Sequence, residues 1–327
     1  MEIYLNIHGV TAKLTSDSFE FIDLVKSNFQ CFLIKEMKDE APNLTVKFDR
    51  KAGLYAREMK SLLPRLSSGL YQNQNAIFWE NEFGFAVQVQ LNNLKSWEIN
   101  GYHFDLDSEN SEEDRFKNYT RSMRWMIHFP IFSLLKKYHN MRLIHASTLS
   151  KDSEALVFAG LNKVGKSSLS RYIFENYNFQ YMSDNFLLSD SDQVYGFPEK
   201  NRLSPESMSN LDIDFSGERE IYGKYQIPLE EKDINLIAKP KTVFIVNNYD
   251  SLIIEEISSE TALNTIEAMH NYLQEFPDYT FYSMLDSFDT WKQRNDPLFS
   301  NDISFFKLYL PLNWSFQEAA TKVLRCI

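Results

Sequence analysis

The chain has 327 residues, 43% hydrophobic and 24% charged, enough apolar side chain for one large domain plus a smaller one, or for two of moderate size. Ten Gly and ten Pro exclude a collagenous or linker-dominated protein, and 34 Lys+Arg against 45 Asp+Glu leave a net charge of −11, with no basic field to draw in nucleic acid. No apolar run approaches the roughly 20 residues that cross a bilayer, Met1-Glu2-Ile3-Tyr4 has no basic region leading into an apolar one, and the cysteines, Cys31 and Cys326, stand near opposite ends. The expectation is a soluble cytoplasmic protein without a zinc site, a membrane or a nucleic-acid partner.

The first hundred residues read mainly as β. Ala76 to Glu80, Phe83 to Leu91, Trp97 to Ile99 and Tyr102 to Leu106 are short β-rich runs with polar breaks at Asn92-Asn93 and Asn100-Gly101, and a meander is their simplest arrangement. The acidic stretch Asp105 to Asp114 marks the domain boundary. From about Arg115 the spacing of Phe116, Tyr119, Met123 and Met126 or Ile127 predicts a helix that breaks at Pro130 and resumes through Phe132, Leu135 and Tyr138.

Two apolar segments, Leu143 to Ala146 and Ala155 to Ala159, bracket the polar turn Ser150 to Ser153 and predict paired strands. A glycine-bounded loop follows, then helical spacing over Leu169, Tyr172 and Ile173, then a strand from Phe179 to Met182. Thr242 to Val246 predicts a buried strand, and Ala262, Leu263, Ile266, Met269 and Leu273 one face of a helix. The chain closes on a strand, Phe305 to Leu310, and an amphipathic helix from about Ser315 to Leu324. Strands alternating with helices after about residue 120 predict an α/β layer architecture.

Gly160-Leu161-Asn162-Lys163-Val164-Gly165-Lys166-Ser167 fits the phosphate-loop pattern G-x-x-x-x-G-K-[ST] without a mismatch, between a predicted strand and a predicted helix. In that setting successive N–H groups and a helix N-terminus hold a phosphate. The glycines let the backbone approach the phosphate oxygens, Lys166 would place its charge on the β and γ phosphates, and the Ser167 hydroxyl would bind Mg2+. Ser168 completes this candidate nucleotide site. Asp184, at the end of the strand after the loop helix, would accept a proton from a hydroxyl attacking the γ-phosphate or help hold Mg2+. The plainer alternative is a turn residue in Ser183-Asp184-Asn185.

Leu143-Ile144-His145-Ala146-Ser147, the loop Gly160 to Ser167, Tyr181-Met182-Ser183-Asp184-Asn185, Val194 to Pro198 and Asn201-Arg202-Leu203 together resemble the C-terminal kinase domain of HPr kinase/phosphorylase and its relatives, over about residues 120 to 327. Those relatives include kinases encoded beside peptide natural-product clusters. The resemblance implies an ATP- and Mg2+-dependent phosphotransferase in which Lys166 and Ser167 bind phosphate and metal, Asp184 acts as the base, and His145 matches the His of the strand before the loop. Glu199 and Arg202 stand near the family's Glu-x-Arg-Gly stretch, which makes Glu199 a further metal candidate and Arg202 a candidate for stabilising the transferring phosphate. Asn185 replaces the second acid of the family's Asp-Asp pair, and the full Glu-x-Arg-Gly stretch is absent, which argues for a divergent relative with another substrate.

The implied organisation is a smaller β-rich (α+β) N-terminal domain, residues 1–110, that recognises the partner, and a kinase domain of HPr kinase/PEP carboxykinase-like type, residues 111–327. The implied acceptor is the hydroxyl of a Ser in a peptide or protein, with a small-molecule hydroxyl as the alternative; a homo-oligomer is left open. Two other readings stand beside it. Gly160 to Leu169 also resembles the first motif of Era- and Ras-type GTPases, with Asp214-Phe215-Ser216-Gly217 fitting Asp-x-x-Gly and Asn247-Asn248-Tyr249-Asp250 fitting Asn-Lys-x-Asp with its Lys lost. Asn210 to Ile213 is too polar for the buried strand that reading needs. The third reading is a non-catalytic nucleotide-binding scaffold.

Overall fold

The computed structural model describes residues 1–37, 41–49, 65–67, 70–72, 76–80, 85–93, 96–103, 112–214, 220–221, 223–274, 297–299 and 302–327. Among these, the chain divides into two compact units, one running up to Tyr138 and the other from His139 onward.

The first unit carries β1 (Glu2–Ile7), β2 (Val10–Ser16), β3 (Leu33–Ile34), β4 (Leu44–Asp49), β5 (Arg65–Ser67), β6 (Leu70–Gln72), β7 (Ala76–Glu80), β8 (Phe85–Asn93) and β9 (Ser96–His103). They form one sheet in the order β3-β1-β2-β4-β9-β8-β7-β6-β5. The expected meander holds for β7, β8 and β9, and β5 and β6, which the sequence did not mark, extend it antiparallel beyond β7, whereas β4 enters parallel to both β2 and β9. A helix that the sequence reading did not anticipate, Phe19–Asn28, is capped by Ser18, whose hydroxyl accepts the Phe21 N–H at 3.2 Å.

The predicted break at Asn100-Gly101 does not occur, because β9 runs through it. Gly101 answers to packing instead: a Cβ there would lie 2.5 Å from Met126 Cε and 3.2 Å from the Phe48 ring. The predicted break at Pro130 is also absent. Glu112–Met123 passes through a π-helical turn, Arg124–His128, directly into Phe129–His139. Phe129 N–H bonds Arg124 O, five residues back. This wider turn just before Pro130 eases the clash between a proline ring and the preceding turn, so the helix continues.

The unit boundary therefore falls between Tyr138 and His139 rather than near residue 110. Helix Glu112–Met123 is bound to the N-terminal sheet by chemistry: the Tyr119 ring lies 5.9 Å from both Phe21 and Phe48, and its hydroxyl is 3.0 Å from Ser18 Oγ. Most of the acidic stretch expected to mark the boundary, residues 104–111, lies outside the described residues.

The second unit carries β10 (Arg142–Ile144), β11 (Ala146–Lys151), β12 (Glu154–Ala159), β13 (Gln180–Asp184), β14 (Leu187–Ser189), β15 (Val194–Gly196), β16 (Asn201–Leu203), β17 (Glu220–Ile221), β18 (Lys224–Ile227), β19 (Ile237–Asn248), β20 (Ile253–Glu256) and β21 (Ser304–Leu310). Its main sheet runs β13-β11-β12-β19-β21-β20, with β12, β19 and β21 parallel. The first residues of β19 also carry a branch, β15-β14-β10, and β16-β18-β17 form a small separate sheet.

Alternation along the central strands sorts the core into two faces. Leu156, Phe158, Phe244 and Val246 pack under helices Lys166–Tyr177 and Phe316–Leu324. Val157, Val243 and Ile245 pack under Ala262 and Ile266 of helix Ser259–Gln274. This is the expected α/β layering. Because β11 is antiparallel to both β12 and β13, the end of β13 and the end of β12 reach the same edge of the sheet. Among the described residues no helix is long and apolar enough to cross a membrane.

Candidate functional site

The end of β12 delivers Gly160 against β19, where a Cβ would lie 2.7 Å from Val246 O, so the close approach requires glycine. In the loop that follows, Lys163 and Gly165 adopt φ of 65° and 96°. Such alternation of left- and right-handed residues turns successive N–H groups toward one side and makes an anion-binding concavity. The first helical bond runs from Leu169 N–H to Gly165 O at 3.0 Å. The N–H groups of Lys166, Ser167 and Ser168 thus occupy the positive end of helix Lys166–Tyr177, where a helix has no internal partner to offer them. Leu161 and Val164 are half-buried, while Asn162 and Lys163 are exposed.

Lys166 is only 6% exposed and folds back across the loop, its Nζ donating to Leu161 O at 2.6 Å. Burial pushes its pKa down to about 8; the negative charge of Asp184 opposes the shift and the positive charge of Lys224 adds to it.

Asp184 ends β13 and is 2% exposed. Its Oδ1 accepts from Ser167 Oγ at 2.7 Å, and its Oδ2 from Asn201 Nδ2 at 3.2 Å. Asn201 Nδ2 also donates to the Tyr181 hydroxyl at 2.9 Å. Burial raises the Asp184 pKa above the usual carboxylate range. The Ser167 hydrogen bond and the charges of Lys166 and Lys224 restrain the rise, and the negative charge of Glu199 adds to it. Asn185, where the resemblance places a second acid, turns the chain at φ 99° and donates its N–H to Ala146 O at 3.0 Å. Asn tolerates that backbone region better than most residues.

His145 sits between β10 and β11, with Nδ1 2.8 Å from Gly160 O. A carbonyl oxygen only accepts, so Nδ1 carries the proton in this bond. Ser147, two residues on, holds the loop helix through Ser170 Oγ at 2.6 Å. The His-Ala-Ser segment therefore ties down the loop at its entry and the helix behind it. Ser168 Oγ lies 2.9 Å from Ser207 Oγ, on the short helix Pro205–Asn210, so its hydroxyl serves packing between helices.

Glu199 is buried, close enough to act on Asp184. Arg202 and Asn201 alternate along β16: Asn201 turns its side chain to Asp184, and Arg202 stands opposite Gln226 in the register with β18. The structure thus gathers Lys166, Ser167, Asp184 and Glu199, and it adds Asn201, Tyr181 and Lys224, which the motifs did not single out. Only strand parity distinguishes Asn201 from Arg202 in so short a run. Lys224 follows a turn glycine, Gly223 at φ 71°.

Asp214, the candidate for the GTPase-like Asp-x-x-Gly, is exposed and lies beyond helix Pro205–Asn210 rather than at the end of a strand; Phe215 to Gly217 lie outside the described residues. The oxygens of Ser167 and Asp184 suit a hard cation such as Mg2+. Among the described residues no group of three or more His, Cys, Asp or Glu side chains is arranged to hold a metal. A Mg2+ here would complete its shell with phosphate oxygens and water, as that ion commonly does.

No family model and no curated protein matches the chain. Among solved structures, the HPr(Ser) kinase/phosphatase from Coxiella burnetii aligns over 57% of this chain and 95% of its own, at 10% identity and a TM-score of 0.29. A likeness at that level does not establish a fold family.

Proposed function

We propose that the chain transfers the γ-phosphoryl group of Mg-ATP to a hydroxyl, that of a Ser in a peptide or protein. The observation that carries this reading is the 2.7 Å bond from Ser167 to the buried carboxylate of Asp184, beside a buried Lys166 at the head of the loop helix.

In this mechanism the loop N–H groups and the helix N-terminus hold the phosphate chain. Lys166 exchanges Leu161 O for β and γ oxygens, and the added negative charge restores its preference for the protonated form. Ser167 and Asp184, with Glu199 near, supply the oxygen side of a Mg2+ site; the ion would neutralise charge on the β and γ oxygens. Asp184 takes the proton of the attacking hydroxyl as the new O–P bond forms and the bond to the β–γ bridging oxygen breaks, releasing ADP. Asn201 fixes the carboxylate plane, and His145 fixes the loop entry.

Among the described residues the N-terminal sheet ends in β3 and β5, edge strands that suit an extended peptide added as a further strand, and this favours a peptide over a small molecule. A cytoplasmic site of action, where ATP is supplied, goes with this reading. Lys166→Ala tests it: phosphate transfer should fall by about 10² or more, because the variant loses charge stabilisation of the transferring group. Full transfer by that variant would contradict the mechanism.

A further inference from the structure

Three loops leave the parallel ends of β12, β19 and β21 side by side, and the first is the Gly160–Gly165 loop. Asp184 lies on the β11–β13 side of β12, while the loops after β19 and β21 lie on the other side. Those two loops carry an exposed apolar surface in which Leu312 is 90% exposed and Tyr249 56%. They are joined to each other, since Tyr249 N–H bonds Leu310 O at 2.9 Å and the Tyr249 ring lies 5.5 Å from that of Tyr309. They are also joined to the phosphate loop: a Cβ on Gly165 would lie 3.2 Å from the Trp314 ring and 3.0 Å from Leu310.

From this arrangement we infer that Tyr249, Leu312 and Trp314 form the seat of the nucleoside when the loop holds a nucleotide. The inference rests on the phosphate-loop reading. A γ-phosphate turned toward Asp184 places the phosphate chain across the end of β12, and the nucleoside then emerges on the β19–β21 side. The occupant follows from chemistry as well: a nucleobase offers a flat π face, which stacks on aromatic and apolar side chains and covers a leucine that otherwise stands in water. Stacking of this kind does not select one base over another. One of the three, Tyr249, lies in Asn247 to Asp250, which the sequence likened loosely to a base-binding motif.

The test is calorimetric titration of the full chain with Mg-ATP and, separately, with Mg-tripolyphosphate, which has the phosphates and no nucleoside. The wild type should bind ATP about ten-fold more tightly than tripolyphosphate. In Tyr249→Ala/Leu312→Ala the ratio should shrink to about two-fold with tripolyphosphate affinity unchanged, and Tyr249→Phe/Leu312→Met should keep the wild-type ratio. An unchanged ratio in the alanine variant overturns the seat and leaves the phosphate-loop reading standing. Failure of both ligands to bind the wild type overturns that reading and the seat with it.

Discussion

Ser167 and Asp184 meet through a 2.7 Å hydrogen bond that links the first turn of the loop helix to the end of β13. The bond fixes a carboxylate that burial has made more basic next to a lysine that burial has made more acidic. Titratable groups whose environments move their pKa values toward neutrality suit proton transfer at neutral pH.

Asp184→Asn keeps the shape and the Ser167 contact and removes the ability to take a proton. Turnover should fall by about 10² to 10⁴, with Mg-ATP affinity within a few-fold of wild type. Steady-state kinetics beside calorimetry separates the two effects. Loss of nucleotide binding would instead make Asp184 chiefly a metal ligand.

The pH profile of kcat/KM should be bell-shaped. Activity rises with pH as Asp184 loses its proton, along a limb displaced above the ordinary carboxylate range, and falls as the free enzyme's Lys166 loses its charge near pH 8. The stability effect has the opposite sign on the alkaline side. Lys166 is depressed from the ordinary lysine value of 10.5 to about 8, so between these pH values the unfolded chain binds more protons and this group's contribution to folded stability increases with pH. Activity lost near pH 8 without a fall in melting temperature is the expected signature. Lys166→Arg should move the alkaline limb upward, since arginine stays charged.

Asn201→Ala should cost about 1–3 kcal/mol of stability, because Asp184 Oδ2 loses a donor in a buried setting and Tyr181 loses its amide contact. Denaturant unfolding measures the cost. Asn201→Asp should displace the acid limb of the pH profile upward, since a second carboxylate beside Asp184 disfavours its ionisation.

Gly160→Ala places a methyl group 2.7 Å from Val246 O and must push the loop away from β19. A loss of about 1–3 kcal/mol is expected, with weaker nucleotide binding, by thermal melting and titration. An unchanged melting temperature and affinity would mean that the loop shifts freely.

Much of the second unit was legible because its elements are strongly patterned: β12, the loop, β13, β19 and the closing strand and helix each carry an apolar period or a glycine signal that agrees with tertiary packing. The reading failed where one residue had two physical explanations. Gly101 read as a turn and serves a close contact with Met126, and Pro130 read as a stop and is absorbed by a π turn. Arg202 was the candidate and its neighbour Asn201 was not, yet the parity of a three-residue strand, set by its pairing with β18, turns Asn201 to Asp184. Lys224 comes to the site through the pairing of β18 with β16, which local sequence does not encode.

The central claim is hydroxyl phosphorylation by the Lys166–Ser167–Asp184 site, and mass spectrometry tests it most directly. The full chain and Asp184→Asn are each incubated with Mg-ATP and either a peptide fraction or a metabolite fraction from the source cells, and products are scored for added phosphate and for resistance to acid and to hydroxylamine. The account predicts acid-stable, hydroxylamine-resistant phosphate on peptides with the wild type and none with Asp184→Asn. Phosphate on metabolites alone would contradict the peptide acceptor, a hydroxylamine-labile product would contradict the hydroxyl, and no phosphorylated product from a wild type that binds Mg-ATP would contradict catalysis itself.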